Sequence, residues 1–316
     1  MLYLNNMKVL IDSFIIIFPL LALVVLGFCI KRINLLSDST IKELNRIIIS
    51  LLIPVNVFMS IYNSDFKTDF NLKFVLYCII CVILSFILSL AIFNSVKTNS
   101  VKVSLIQASV RPNIAIIGIP LAVSIYGQSV SGITAIGVAF CAPLYNVLSL
   151  ILFETLNDNK YDVKEILNKL FKNPILISTI IAFILKSINI HIPSMFYDTL
   201  SYMSRATTAI SLIVLGASFK FSFTDHKKQL IMALIIKMII IPALVLTIGV
   251  LIGFRNETLV ALLALFASPV AISAYSFASG YDADLDLTSS IIIYSYLICI
   301  ISLPIFISIV RILNFI

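Results

Sequence analysis

The chain alternates apolar runs of about twenty residues with short polar connections along almost its entire length. An α-helix needs about 20 mostly apolar residues to cross the hydrocarbon core of a bilayer. We identify ten such runs, at residues 10–30, 41–62, 72–94, 103–126, 132–155, 173–190, 197–219, 229–253, 257–279 and 288–312. The runs are continuous and lack the alternation of a membrane β-barrel. They predict an all-α membrane protein with about ten transmembrane helices.

The charged residues indicate how these helices are oriented. Only 12% of the 316 residues are charged, about half the share of a typical soluble domain. Twelve Lys and Arg residues fall in one alternate set of connections and six in the other. The richer set is expected on the cytoplasmic side, which predicts a cell inner membrane protein with both termini outside the cytoplasm. Because the basic residues form no single patch, the net charge of +7 indicates a lipid bilayer and no nucleic acid as partner.

The longest polar connection divides the chain into two halves. Residues 1–156 hold five apolar runs, residues 157–172 form a predicted cytoplasmic linker, and residues 173–316 hold five more. An odd number of spans forces the second half to insert upside down relative to the first. Two inverted five-helix repeats are typical of secondary transporters.

The fourth run carries polar and helix-breaking residues deep in the membrane. Arg111, Pro112 and Asn113 lie about 13 Å from its start, and Gly118 and Pro120 follow. Proline lacks a backbone donor and clashes with the preceding turn, so this pattern predicts a broken helix. Broken backbone at that depth requires protein or a water-filled cavity to satisfy its polar groups.

The ninth run has a corresponding interruption at Ser268 and Pro269. Paired interruptions in two halves of a transporter point to its binding site. A cation such as Arg111 at the bilayer centre needs a partner. That partner is an anionic substrate, a carboxylate or the carbonyl groups that the break sets free, and the sequence leaves these alternatives open.

Further polar residues are candidate ligands. Within the fourth run, Asn113 offers a donor and an acceptor beside the break. Asn56 and Asn146 either line the same cavity or bond across helices. The sequence contains no metalloprotease, P-loop or nucleophile-elbow motif, so we expect neither an enzyme nor a cofactor or metal site.

Several segments of the chain resemble the auxin efflux carrier family of permeases, which includes bacterial malonate and malate permeases. The resemblance rests on Arg111-Pro-Asn-Ile-Ala-Ile-Ile-Gly-Ile-Pro120, Ala142-Pro-Leu-Tyr-Asn146, Leu52-Ile-Pro-Val-Asn-Val-Phe58, Lys237-Met-Ile-Ile-Ile-Pro242 and Ala267-Ser-Pro269. It implies that the fourth and ninth helices break and cross, and that substrate binds beside the crossing. It also implies a scaffold of spans 1, 2, 6 and 7 and a mobile domain of the other six. The short central connection is typical of a prokaryotic permease.

These observations together predict a secondary active transporter that moves a small organic anion by alternating access. The predicted binding residues are Arg111, Pro112, Asn113, Gly118, Pro120, Ser268, Pro269, Asn146 and Asn56. The alternatives are a Na⁺-coupled symporter of another solute, a channel and a membrane sensor that does not transport. Coupling to H⁺ or Na⁺ and assembly as a homodimer stay open.

Overall fold

The computed structural model describes residues 2–63, 71–156, 172, 174–188, 190–219, 224–279 and 283–316. We number the helices in chain order as α1 (Leu2–Arg32), α2 (Asp38–Tyr62), α3 (Leu72–Phe93), α4 (Asn99–Val110), α5 (Ile114–Tyr126), α6 (Ser131–Leu156), α7 (Pro174–Ser187), α8 (Ser194–Ala217), α9 (Lys227–Ile252), α10 (Asn256–Phe266), α11 (Ser273–Ser279) and α12 (Leu285–Ile312). These ranges contain no strand, and one isolated bridge is their only extended pairing. The all-α prediction is confirmed, while the predicted linker 157–172 lies outside the described residues except for Lys172.

The helices have the length and surface of membrane spans. Within the described ranges, six helical stretches are long and apolar enough to cross a membrane, and α5, α7 and α10 are shorter apolar helices. On α3, the side chains of Leu76, Ile80 and Ile87 point outward and are about half exposed. Such an apolar surface is stable only against lipid, so the chain is a multi-pass membrane protein.

The fourth and ninth apolar runs are each split into two helices. The fourth run forms α4 and α5, and residues 111–113 separate them. The ninth run forms α10 and α11, and residues 267–272 separate those. The predicted breaks at Pro112 and Pro269 are therefore present.

Three other prolines lie inside continuous helical stretches. Pro54, Pro120 and Pro242 each follow a single π-helical turn, at Ile48–Leu52, Ile114–Gly118 and Ile236–Ile240. In each case the carbonyl four residues before the proline lies in that turn. The wider turn relieves the clash between this carbonyl and the proline ring.

The helices form one connected bundle. α1 packs on α8 and α12, α2 packs on α6, α7 and α8, and α10 packs on α5, α6 and α9. Residues 259–267 of the α10 segment are at most 1% exposed, so this short helix lies at the centre of the bundle. The α1–α8 contact is close because Gly27 and Gly216 face the backbone of the opposite helix.

Candidate functional site

The two breaks meet and satisfy each other through main-chain hydrogen bonds. Pro112 and Val270 form an antiparallel bridge. The Asn113 amide donates to the Pro269 carbonyl at 2.7 Å, and the Ala271 amide donates to the Arg111 carbonyl at 3.0 Å. The broken segments therefore cross at their interruptions. Each supplies main-chain hydrogen-bond partners for groups of the other that no longer bond within their own helix.

Side chains complete the hydrogen bonding around the crossing. The Val270 amide donates to Ser295 Oγ of α12 at 2.9 Å. At the end of α10, Lys237 Nζ donates to the Phe266 carbonyl at 2.9 Å, and Ser268 Oγ donates to the Ala264 carbonyl. Lys237 is 1% exposed, and its Nζ lies at the C-terminal end of α10, where the helix dipole favours a positive charge.

Arg111 is held by groups from α6 and α11. Its Nε donates to Ser273 Oγ at 3.2 Å, and Nη1 donates to Ser149 Oγ at 3.1 Å and to the Tyr145 carbonyl at 3.5 Å. Its Nη2 donates to Asn146 Oδ1. The guanidinium also lies over the Phe277 ring, 4.5 Å from its centroid.

Among the described residues, no acid balances the charge of Arg111. All the partners above are neutral, and no described carboxylate forms an ion pair with Arg111. A guanidinium has five N–H donors, so these contacts leave one Nη2 donor unused. The same contacts fix the Asn146 amide, because its oxygen faces Arg111 and its nitrogen is left free to donate.

Asn113 is positioned by α12. Its side-chain amide bonds to the Tyr296 hydroxyl at 2.7 Å, and its exposed fraction is 4%. A tyrosine hydroxyl both donates and accepts, so the amide fits in either orientation. Either its oxygen or its nitrogen is therefore available for a ligand.

These groups border a cavity of about 630 Å³, which we call the Arg111 cavity. Arg111, Pro112, Asn113 and Asn146 line it together with the first residues of α5. Its other lining residues include Lys31, Asp38 and Lys42 near the ends of α1 and α2, where Lys31 and Asp38 form an ion pair of 2.8 Å. The cavity thus extends from the crossing toward the side of the membrane that is rich in Lys and Arg.

A second cavity, the Arg205 cavity, lies on the opposite side of the crossing and has a volume of about 840 Å³. Asn56 and Pro120, two of the predicted site residues, line this cavity and not the first one. Asn56 also accepts a hydrogen bond from Ser204 Oγ at 2.8 Å, so it both faces a cavity and bonds across helices.

The remaining predicted residues are packed around the crossing and do not face a cavity. Gly118, Ser268 and Pro269 line neither cavity. Gly118 faces Ala264 and Leu265 of α10, and Ser268 is fully buried. The predicted set of nine residues is therefore split among two cavities and the packing between them.

Sequence reasoning missed four residues that hold the site together: Ser149, Ser273, Phe277 and Tyr296. Ser149 lies one turn after Asn146, so helical spacing could have indicated it. The others carry no sequence signal, since they reach the site only through the crossing. No cluster of three metal-ligating side chains occurs among the described residues.

Comparison with known proteins agrees with this architecture. The family described as membrane transport protein, the auxin efflux carrier family, matches residues 12–307. An uncharacterised transporter of Methanocaldococcus jannaschii is 26% identical over 290 residues, which cover 87% of this chain and 91% of that protein. The match extends over both breaks and nearly all of the helices described above. The chain therefore belongs to the auxin efflux carrier family of membrane transport proteins.

Proposed function

We propose that the protein is a secondary active transporter of a small organic anion, such as malonate or malate, and that the anion binds in the Arg111 cavity. The observation that carries this proposal is the unbalanced positive charge of Arg111 beside the crossing. A buried cation without an acid partner favours an anionic ligand. The cavity volume of about 630 Å³ lies within the range of small-molecule sites.

The donors that face the cavity suit a carboxylate. Arg111 contributes its unused Nη2 donor. Asn146 contributes its amide nitrogen, because its amide oxygen already accepts a hydrogen bond from Arg111. Asn113 adds its amide, and the N-terminus of α5, which has no side-chain cap, places the positive end of its dipole beside the same space. Arg111 thus supplies charge and also positions the Asn146 amide.

Alternating access accounts for cavities on both sides of one crossing. In our proposal the ten spans form two inverted five-helix repeats. The helices α1, α2, α7 and α8 form the scaffold, and the remaining helices carry the crossing past it. The Lys- and Arg-rich side, to which the Arg111 cavity extends, is the cytoplasmic side of a prokaryotic inner membrane, which places both termini outside.

Counterflow into liposomes tests the proposal. Liposomes that contain the purified protein and unlabelled malonate or malate should accumulate the labelled acid with saturation. Arg111→Gln should abolish this uptake, while Arg111→Lys should retain part of it because the charge remains. Arg32→Gln removes an exposed guanidinium outside both cavities and should leave uptake unchanged, with thermal melting as the check on folding.

Three outcomes would contradict the proposal. Flux that rises linearly with concentration would indicate a channel. Uptake of another solute that requires Na⁺ and tolerates Arg111→Gln would indicate a cation-coupled symporter. A folded protein that neither binds nor moves any carboxylate would favour a sensor.

A further inference from the structure

The Arg205 cavity contains a cation whose charge no described neighbour balances. Arg205 is the twelfth residue of α8, so its Cα lies about 16 Å from the helix start, near the middle of the membrane. Its side chain is exposed, and no hydrogen bond or ion pair joins it to another described residue. A cation at this depth is stable only beside water or an anion.

The walls of the cavity are polar and contain no acid among the described residues. α2 and α8, joined by the Asn56–Ser204 hydrogen bond, form one wall. Hydroxyl and amide groups dominate the lining, which includes Ser60, Asn63, Gln128, Ser129, Ser131, Tyr197, Ser201 and Thr208. Neutral donors around a single guanidinium select anions over cations.

α5 separates this cavity from the Arg111 cavity. Ile114, Ala115 and Ile116 line the Arg111 cavity, while Ile119, Pro120 and Val123 line the Arg205 cavity. The step from Ile116 to Ile119 is about 5 Å along the helix, so roughly one turn of α5 divides the two cavities. The lining of one cavity therefore ends about one turn of α5 before the lining of the other begins.

We infer that the Arg205 cavity is a second anion-binding site, which receives the carboxylate of the transported molecule on the far side of the crossing. Arg205 supplies the charge, and the hydroxyl and amide groups of α2 and α8 replace water around the anion. This inference rests on the proposed function, since it assigns a second binding site to the same substrate.

Protection of an engineered cysteine tests the second site separately from transport. Ser201→Cys places a thiol in the Arg205 cavity one turn before Arg205, in a Cys29→Ala background that removes the one described cysteine that is exposed. Malonate at about four times its dissociation constant should slow the labelling of this thiol by a membrane-impermeant maleimide about fivefold, because the unoccupied fraction of the site falls to about one fifth.

The charge of Arg205 should account for this protection. Arg205→Gln should abolish it, and Arg205→Lys should restore most of it. Potassium chloride at the same ionic strength should give none, and equal protection by chloride would mean screening alone and would overturn the site. Thermal melting shows that each variant is folded.

Transport distinguishes failure of this inference from failure of the proposed function. Malonate uptake that depends on Arg111, combined with labelling that malonate or malate does not slow, would overturn the second site and leave the proposed function standing. Absence of both uptake and protection would overturn both. Protection that persists in Arg205→Gln would also overturn the assignment of Arg205.

Discussion

The contact between α1 and α8 provides a stability prediction whose size follows from the structure. A Cβ at Gly216 would lie 1.8 Å from the Val24 carbonyl oxygen, and a Cβ at Gly27 would lie 1.9 Å from the Ile213 oxygen. To bring the 1.8 Å approach to the 3.4 Å of an ordinary contact, the helices would have to separate by about 1.6 Å. A gap of 0.5–1 Å already loses about a quarter to a half of each dispersion contact.

We therefore expect Gly216→Ala to destabilise the protein by about 3 kcal/mol, the upper range for overpacking, because the clash is with backbone and not with a flexible side chain. The melting temperature should fall by roughly 6–12 °C. A decrease in stability would be informative, because replacing glycine with alanine within a helix otherwise stabilises a protein by about 0.5–1 kcal/mol.

Thermal melting of the purified protein in detergent measures this effect. Gly118→Ala is the matched control, because the nearest atom to its added Cβ would be 3.7 Å away. That variant should melt at or slightly above the temperature of the unchanged protein. If Gly216→Ala melts like Gly118→Ala, the two helices do not approach as closely as described, and the rigid α1–α8 pair of the proposed scaffold is refuted.

Three further predictions concern the crossing. Ser295→Ala leaves the buried Val270 amide without its acceptor and should cost about 1–3 kcal/mol in a thermal melt, while Ser295→Thr, which keeps the hydroxyl, should cost less. Tyr296→Phe frees the Asn113 amide from its anchor and should raise the KM for the carboxylate several-fold in counterflow, with a loss of about 1 kcal/mol in stability. Replacement of Na⁺ by choline should leave malonate counterflow unchanged, and a requirement for Na⁺ would contradict the repulsion expected between Na⁺ and Arg111.

The helices and their breaks could be predicted from the sequence. Apolar length determines the spans, because a bilayer accepts only helices of about 20 residues or closed barrels. Proline alone does not determine a break, since Pro143 and Pro304 lie inside the continuous helices α6 and α12. The breaks at Pro112 and Pro269 were predictable because both prolines lie near mid-membrane depth, at corresponding interruptions of the fourth and ninth runs.

The composition of the site could not be predicted to the same degree. Asn56 lies within an apolar run, and its depth was clear, but the side of the crossing that it faces depends on helix packing. The partners of Arg111 come from α6 and α11, and they are 34 or more residues away in sequence. Such contacts depend on how two interrupted helices cross, and no local pattern in the chain encodes that geometry.

The electrostatics of the crossing favour an anion over a cation. The C-terminus of a helix attracts positive charge, and at the end of α10 this position is filled by Lys237 through the Phe266 carbonyl. On the other strand of the bridge, Arg111 brings a guanidinium, and neither Arg111 nor Lys237 has an ion pair with a described acid. A Na⁺ ion entering here would compete with Lys237 for the same carbonyl and would be repelled by Arg111. An anion would instead be attracted by Arg111, and it would supply the partner that a cation inside a bilayer needs.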